Sequence, residues 1–364
     1  MTGDVKRFIS PTLVVALFLL GYLGLALVRG EGDPLVFVRL GDGFRDGKPV
    51  GEEGYDGQFA YFIALDPRPT AAAEHLDVPA YRYQRLLYPM LARALALGQS
   101  SAIPWALVLV NVTAQIVGTM FVEQLLVLYG VSRWYALTYG LWAGLILAVR
   151  LDLNEPLCYT LVAGGLLAHQ RGRIWLAAGC VGVALFAKET ALLFWAALLI
   201  SDVMTHRRAS WLIWLLAAAP FGLFQWLLLH WFGALGLASG GYLATPFEII
   251  PLMGLWRIGA VSMPALALFL VIFGPLIVFP SLAGLALAAR RLWARDFSQP
   301  VLALAVNAGL ILFTPSSTIR EPLGLIRLAV GLVLSILLFG AYARSKRILN
   351  YSLFWLAALA FLQE

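Results

Sequence analysis

Long apolar runs separated by short polar stretches constrain the fold of this chain more than any other feature. A helix needs about 20 apolar residues to cross the hydrocarbon core of a bilayer. Measured against that length, the sequence predicts an all-α polytopic membrane protein with about eleven transmembrane helices, forming one transmembrane domain over residues 1–364. The predicted spans are 11–29, 102–129, 133–150, 155–170, 173–187, 189–205, 210–232, 263–289, 299–314, 322–343 and 349–362.

Composition supports the same conclusion. Hydrophobic residues make up 61% of the 364 residues and charged residues only 13%, whereas a soluble domain carries roughly 25% charged residues. The two cysteines, Cys158 and Cys180, both lie in apolar runs, and two thiols cannot build a thiolate-ligated metal site. The four histidines show no ligand spacing. Nothing in this composition indicates nucleic acid as a partner, and the lipid bilayer is the expected one.

The charged residues are distributed unequally between the loops. With a cytoplasmic N-terminus and one crossing per span, the purely basic clusters fall on the cytoplasmic side, as the positive-inside rule requires. These clusters are Lys6 and Arg7, Arg133, Arg171 and Arg173, Arg207 and Arg208, Arg290, Arg291 and Arg295, and Arg344, Lys346 and Arg347. The segments with mixed charges fall on the other side, at 30–101, 150–155, 188–189, 233–262 and 316–321. This pattern predicts a multi-pass protein of the plasma (inner) membrane with an extracytoplasmic site.

The first extracytoplasmic loop, 30–101, is predicted to contain two interfacial helices. The first runs from Tyr55 to Asp66, with a tight entry turn at Gly54. The second runs from Tyr81 to Leu97, with apolar side chains at helical spacing and a kink at Pro89. Arg82, Arg85 and Arg93 share a second face of that helix. The segment 233–262 is predicted to form a second extracytoplasmic flap.

Asp56 is the candidate catalytic residue of the first loop. A carboxylate at the water–lipid boundary can take a proton from an acceptor hydroxyl as that hydroxyl attacks a sugar carbon. The alternative is an acid that merely stabilises a helix N-terminus. The rival acids are Asp42, Asp46, Glu52 and Glu53, and the side chains expected to line the acceptor site beside Asp56 are Tyr55, Gln58 and Tyr61.

Arg82 and Arg85 are candidates for binding a phosphate, because arginine keeps its charge near lipid and binds phosphate through two hydrogen bonds. Their alternative role is to reach the bilayer head groups. Arg320 and Arg327 flank the tenth span on the same side and are further phosphate candidates. Arg327 lies about one turn into apolar sequence, so the sequence predicts an anionic partner for it.

Two acidic segments complete the candidate site. Asp152 and Glu155 lie at the start of the fourth span, where they are expected to bind the acceptor or a divalent metal such as Mg or Mn together with Asp56. The alternative is that Asn154 or Asp152 simply caps the helix. Lys188 and Glu189 interrupt an apolar stretch, where charges are costly unless they are functional or paired. Lys188 is a candidate phosphate ligand and Glu189 a candidate acceptor ligand. An ion pair between these residues is the alternative.

Several of these segments resemble the GT-C superfamily of integral-membrane glycosyltransferases, which includes the protein O-mannosyltransferases and the mannosyltransferases of GPI-anchor assembly. The resemblance rests on Tyr55-Asp56-Gly57-Gln58 after a first span, on Phe186-Ala-Lys188-Glu189-Thr190, and on Asn154-Glu155-Pro156, as in bacterial members. It implies an inverting transferase with a polyprenyl-phosphate sugar as donor and a glycan or lipid as acceptor, without a certain cofactor. In that superfamily an acid of the first outer loop is the catalytic base, which corresponds to Asp56. The implied acceptor is small or lipid-linked, because the sequence shows no soluble C-terminal domain.

A transporter or flippase of a lipid-linked saccharide is the alternative from a different functional class. Such proteins often show internal repeats and ionisable residues near the middle of their spans. In this sequence the charges gather at the ends of the spans and no repeat is visible, which favours the enzyme. A non-catalytic membrane scaffold would explain the apolar spans but not the two helices of the outer loop.

Overall fold

The computed structural model describes residues 9–45, 53–205, 210–241 and 245–362, with the side chains of 44 and 45 left out. Two of the rival acids, Asp46 and Glu52, lie outside the described residues, as do the basic residues at positions 6, 7, 207 and 208. The described ranges are helical and contain no β-strand. The chain is therefore a helical protein of the membrane type.

The α-helices follow one another closely along the chain. The first seven within the described residues are α1 (Pro11–Arg29), α2 (Leu35–Val38), α3 (Asp42–Arg45), α4 (Gly57–Leu65), α5 (Pro69–Ala73), α6 (Pro79–Tyr83) and α7 (Leu87–Leu95). The next seven are α8 (Ile103–Leu128), α9 (Leu137–Gly140), α10 (Ala143–Arg150), α11 (Glu155–Gln170), α12 (Ile174–Ala184), α13 (Ala191–Met204) and α14 (Ser210–Phe232). The last are α15 (Met253–Val261), α16 (Met263–Phe273), α17 (Phe279–Trp293), α18 (Gln299–Leu312), α19 (Ser316–Arg320), α20 (Pro322–Leu328), α21 (Val330–Tyr342) and α22 (Lys346–Ser352).

Five helical stretches of the described residues are long and apolar enough to cross a membrane. They are Pro11–Arg29, Ser100–Leu128, Ser210–Phe232, Met263–Trp293 and Pro322–Tyr342. Three shorter apolar helices, α12, α13 and α18, accompany them. α11 packs between α8 and α12 at the centre of the bundle, and its residues are almost all buried. Many apolar side chains on the outer helices are exposed, as expected of a surface that faces lipid.

The predicted third span is not one helix. A 3₁₀ turn at Arg133–Ala136 leads into α9, and the chain then breaks before α10. The break lets α10 pack closely against α20. The Trp142 ring nitrogen donates to the Ile326 carbonyl at 2.9 Å, and a Cβ on Gly144 would lie 2.3 Å from that carbonyl oxygen. This contact fixes the backbone of the residue before Arg327.

The outer loop also differs from its prediction. The predicted helix over 55–66 is α4, but neighbouring elements bury seven of its nine residues, so it does not lie exposed in the interface. The predicted helix over 81–97 is divided into α6 and α7. Pro89 explains the division, because its ring would clash with the carbonyl of Arg85 in a continuous helix. The apolar side chains of Met90, Leu91 and Leu95 on α7 remain exposed, as an interfacial helix requires.

Side-chain contacts gather the predicted cytoplasmic loops at one end of the bundle. Each contact joins the ends of two predicted spans or the loops next to them. The contacts are Ile9 with Arg133, Thr12 with Glu123, Gln124 with Arg171, Tyr129 with Arg344, and Asp296 with Tyr342. α1 and α8 run antiparallel, because the start of α1 meets the end of α8. α11 and α21 run parallel to α8, because their C-terminal ends meet its C-terminal end. The mixed-charge segments meet at the opposite end.

Glu123 connects the first and second predicted spans. Its carboxylate is 8% exposed and accepts hydrogen bonds from both the backbone N–H and the hydroxyl of Thr12, in the first turn of α1. The acid thus satisfies a donor of the α1 N-terminus and interacts favourably with the helix dipole. This contact gives Glu123 a structural role within an apolar helix.

We expect Glu123→Ala to destabilise the folded protein by about 1 kcal/mol, the range of polar contacts between membrane helices. In a chain of this size that corresponds to a melting temperature lower by about 2 °C, measured in detergent. Met120→Ala on the same helix is the matched control, because Met120 is partly exposed on the bundle surface. An unchanged melting temperature in Glu123→Ala would contradict this role.

Candidate active site

The segment Gly54–Gln58 forms a tight turn whose backbone geometry explains its sequence. Gly54 has a φ of +67°, which favours glycine. A Cβ on Gly57 would lie 2.2 Å from the Leu151 carbonyl oxygen, so only glycine permits this close approach. The two glycines thereby hold Asp56 between them, beside the chain that leads into α11.

Two arginines from different parts of the chain hold the carboxylate of Asp56. Arg82 on α6 places Nη2 3.1 Å from Oδ1. Arg327 on α20 donates to Oδ2 from Nη1 at 3.2 Å and from Nη2 at 3.1 Å. The side chain of Asp56 is 29% exposed, whereas those of Arg82 and Arg327 are 8% and 7% exposed. Asp56 is therefore the part of this cluster that solvent reaches.

The two arginines determine the charge state of Asp56. Burial on its own would raise the pKa of this carboxyl, but the positive charges of Arg82 and Arg327 outweigh that effect and hold the pKa well below its usual range. Asp56 is therefore ionised at neutral pH. A carboxylate stabilised in this way is a weak proton acceptor, because a general base works best with a pKa near the working pH.

Glu155, at the start of α11, neutralises two cations from behind Asp56. One of its oxygens, Oε1, accepts from Lys188 Nζ at 2.7 Å and from Arg327 Nε at 2.9 Å. The side chain of Glu155 is completely buried. The anionic partner predicted for Arg327 is thus a pair of carboxylates, Glu155 on one side and Asp56 on the other.

Arg85 makes a separate bidentate pair with Glu189. Its Nε and Nη2 donate to the two carboxylate oxygens at 2.9 and 2.6 Å. Lys188 and Glu189 therefore do not pair with each other, since Lys188 binds Glu155 instead. The aromatic ring of Tyr81 lies between the two arginines, 5.3 Å from Arg82 Cζ and 4.3 Å from Arg85 Cζ. These cation–π contacts keep both guanidinium groups in place.

Tyr55 forms the outer edge of the cluster. Its hydroxyl donates to Glu321 Oε1 at 2.6 Å and accepts from Arg327 Nη1 at 2.9 Å. Burial raises the pKa of Tyr55, so its hydroxyl keeps its proton. Glu321 is exposed, and Tyr55 therefore connects the buried arginine to an acid at the surface.

A narrow polar cleft opens on Asp56. Its lining residues are Asp56, Phe59, Ala60, Ile63, Arg82, Arg85, Asn154 and Arg327. The space open to a water-sized sphere is about 10 Å³, which is room for about one water molecule. The helices thus bring three arginines and one carboxylate to a single opening, but the side chains fill most of it.

Four of the predicted site residues lie away from this cleft. Gln58 is buried and holds the loop together, since its amide binds the Gly41 N–H and the Glu53 carbonyl. Tyr61 packs against Phe62. Arg320 is exposed at the end of α19. Asp152 is completely buried behind the cleft. Arg93, predicted on the same helix face as Arg82 and Arg85, also lies away from the cleft, because it donates to the carbonyls of Ala64 and Leu65 at the end of α4.

Sequence reasoning missed two residues of the cluster. Asp77 makes a bidentate pair with Arg82, at 2.8 and 2.9 Å, and so fixes the guanidinium that reaches Asp56. Asn154 lines the cleft, although its predicted role was to cap the helix and not to contact a ligand. The sequence gives only a weak signal for Asp77, which is an acid two residues before Pro79 at the start of α6. Its pairing with Arg82 is seen only in the structure, where α6 is a single short turn.

The cluster is electrically balanced. Four cations are paired with four carboxylates. The cations are Arg82, Arg85, Lys188 and Arg327, and the carboxylates are Asp56, Asp77, Glu155 and Glu189. Buried ion pairs are weak contributors to stability, because desolvation offsets most of their attraction. A balanced cluster of this size next to a cleft is therefore a candidate for function.

The arrangement does not fit a divalent metal. Both oxygens of Asp56 bind arginine, and the Oε1 of Glu155 binds two cations. Among the described residues, no group of three His, Cys, Asp or Glu side chains is placed to hold a metal ion. We therefore derive no chemical step through a metal.

Asp152 is a buried carboxyl with a different environment. Its Oδ1 lies 3.3 Å from the Tyr88 hydroxyl, which also donates to the Leu107 carbonyl at 3.0 Å and accepts from Asn111 at 2.8 Å. Burial raises the pKa of Asp152 well above its usual value, and neither Tyr88 nor Arg150 offsets that effect. The single hydroxyl proton of Tyr88 serves the shorter bond to Leu107. A proton on Asp152 then completes its bond to Tyr88.

This environment predicts that Asp152→Asn stabilises the protein increasingly as the pH rises. Above about pH 4 the unfolded wild type loses the Asp152 proton while the folded wild type keeps it, so folding becomes less favourable by up to about 1.4 kcal/mol per pH unit. The asparagine variant lacks this loss and can donate the same hydrogen bond. Thermal unfolding in detergent at about pH 5 and pH 8 measures the difference.

Asp66→Asn is the control for that measurement. The Arg68 side chain hydrogen-bonds Asp66 and lowers its pKa to about 2. Asp66 is therefore ionised in both states over this pH range, and the stability of Asp66→Asn relative to the wild type should not change between the two conditions. A pH-independent effect of Asp152→Asn would show that Asp152 is already ionised in the folded protein.

Comparison of the chain with protein-family models, with curated proteins and with solved structures gave no match. The function of the protein is therefore inferred from the geometry of the site. That geometry combines an ionised carboxylate at an opening with three arginines around it and a buried acid behind them. The combination places an ionised carboxylate beside guanidinium groups that are suited to binding an anion.

Proposed function

We propose that the protein is an inverting glycosyltransferase of the GT-C type that transfers a sugar from a polyprenyl-phosphate donor to an extracytoplasmic acceptor, lipid-linked or small. One observation carries the proposal: the carboxylate of Asp56 and the guanidinium groups of Arg82, Arg85 and Arg327 line the same cleft. The reaction needs a base for the acceptor hydroxyl and cations for the leaving phosphate, and these residues would supply both.

The arginines suit the phosphate of the donor. Each guanidinium is fixed by its own carboxylate partner on one edge, Arg82 by Asp77 and Arg85 by Glu189. Neither arginine uses its Nη1 in a hydrogen bond to a described residue. The Nη1 group of each arginine can therefore donate a charge-assisted hydrogen bond to a phosphate oxygen.

The surroundings suit a donor that reaches the site from the bilayer. α7 follows the two arginines of α6 and its neighbouring turn, and it exposes apolar side chains to the outside. A helix of this kind lies at the boundary between head groups and acyl chains. A polyprenyl chain could remain in the lipid while its phosphate enters the cleft.

The transfer follows from these positions. The acceptor oxygen attacks the anomeric carbon and gives its proton to Asp56. The bond between that carbon and the phosphate oxygen breaks, and its electron pair leaves with polyprenyl phosphate. Arg82, Arg85 and Arg327 stabilise the charge that develops on the phosphate, while Lys188 acts from behind through Glu155. Attack opposite the leaving group inverts the anomeric centre.

The proposal includes a topology. The basic ends of the bundle would face the cytoplasm, with the N-terminus, and the cleft would face the outside of the plasma (inner) membrane, as the positive-inside rule favours. About eleven crossings would place every mixed-charge segment on the outer side. Tyr55 and Asn154 at the opening are then the side chains nearest to an incoming acceptor.

The proposal predicts sugar transfer by the purified protein and its loss in Asp56→Asn. The protein in lipid nanodiscs should be incubated with a panel of polyprenyl-phosphate sugars, with and without chelator, and the lipid and glycan products analysed by mass spectrometry. We expect transfer by the wild type with inversion at the anomeric carbon. Removal of the base should lower the rate by about 100-fold or more, the typical contribution of a general base.

Asp66→Asn is the matched control, because Asp66 lies at the other end of α4, where it pairs with the exposed Arg68. It makes the same charge change on the same side of the bundle and should leave transfer unchanged. Full activity in Asp56→Asn, with an unchanged melting temperature, would exclude Asp56 as the base. Movement of a labelled carrier lipid across liposomes without any sugar transfer would support the transporter instead.

A further inference from the structure

The cleft cannot admit a phosphate group in its present arrangement. The space open to a water-sized sphere is about 10 Å³, and a phosphate needs more room than one water molecule. The side chains at its centre are the guanidinium groups of Arg82 and Arg327 with the carboxylate of Asp56 between them. An entering anion must therefore separate at least one of these groups from the others.

Asp56 is the group that can move away. Arg82 is held by a bidentate pair with Asp77, and Arg327 by the fully buried Glu155, so both guanidinium groups keep a partner without Asp56. Asp56 has no comparable second anchor, because both of its oxygens bind only these two arginines among the described residues. Its side chain is also the most exposed of the three.

We propose that the anionic phosphate of the donor replaces Asp56 as the partner of Arg82 and Arg327, and that Asp56 becomes able to accept a proton only when this exchange has occurred. This inference rests on the proposed function and adds to it how donor binding regulates the base, Asp56. Before the exchange, two arginines stabilise the carboxylate as an anion. After it, Asp56 has lost those cations and lies beside a negative phosphate, which favours its protonated form.

Charge is conserved through the exchange and the reaction. The cluster without donor is neutral, since four cations face four carboxylates. A sugar phosphodiester adds one negative charge. During transfer the phosphate gains a second negative charge while the acceptor proton neutralises Asp56. The arginines are therefore already bound to the phosphate when it gains charge, and Asp56 no longer binds them when it loses its own.

The exchange would also protect against wasteful chemistry. Without donor, the carboxylate is held in its least basic state and the cleft has little room for water. A base that forms only together with the donor phosphate cannot activate an acceptor when there is no sugar to transfer. Binding of the donor would thus complete the catalytic site, as in induced fit.

The test is the affinity for polyprenyl phosphate, the carrier without its sugar. If Asp56 competes with the phosphate, Asp56→Asn should bind polyprenyl phosphate more tightly than the wild type, by about tenfold, because the phosphate no longer has to displace a charged partner. The same variant should be inactive in transfer. Radiolabelled polyprenyl phosphate can be titrated against each protein in nanodiscs of neutral lipid, with uncharged polyprenol as the control ligand.

Two comparisons separate this inference from its alternatives. Asp66→Asn, with the same charge change at the far end of α4, should bind polyprenyl phosphate as the wild type does, and Asp56→Asn should not alter the affinity for polyprenol. Equal or weaker binding of polyprenyl phosphate by Asp56→Asn would overturn the exchange even if the wild type transfers sugar. A wild type that binds polyprenyl phosphate no better than polyprenol would overturn the proposed function, and the exchange with it.

Discussion

The need to neutralise Arg327 inside an apolar bundle is the constraint on which the rest of the site depends. A buried guanidinium cannot lose its proton, so it must have anionic partners. Arg327 obtains them from two distant parts of the chain, Asp56 at 3.1 Å and Glu155 at 2.9 Å. Glu155 in turn binds Lys188, and Asp56 binds Arg82. One buried cation thus links the outer loop, the start of α11, the turn before α13 and the α20 helix.

The sequence predicts the all-helical character of the chain, because its long apolar runs are typical of membrane helices. The structure supports five stretches long and apolar enough to cross a membrane among the described residues, against about eleven predicted spans. The predicted spans 11–29, 155–170 and 210–232 agree with the bounds of α1, α11 and α14. The predicted span 133–150 fails because periodicity does not reveal that Gly144 must admit the Ile326 carbonyl. Hydrophobicity reports that a segment is buried, whereas a break inside it is set by a neighbour that lies far away in the chain.

The site could be predicted as a set of residue types at one end of the bundle, but not as a set of pairs. Asp56, Arg82, Arg85 and Arg327 were recognisable because charges are rare in this chain. Their partners were not, since pairing depends on which helix faces which. Lys188 and Glu189 illustrate this, because adjacent residues bind different partners, Glu155 and Arg85. Gln58 illustrates the converse, since a polar residue in the most distinctive motif serves only to hold the loop.

The balance of the cluster explains why an acid can be strongly stabilised and still be suited to catalysis. An isolated carboxylate at a membrane surface would keep an ordinary pKa and could act as a base towards water in place of the acceptor. Two arginines suppress its basicity, and the same arginines are the groups that a phosphate binds best. The donor whose reaction needs Asp56 as a base is therefore also the molecule whose phosphate can release Asp56 from the two arginines. Asp77 and Glu155 make this possible, because they keep Arg82 and Arg327 paired and in position after Asp56 has moved away from them.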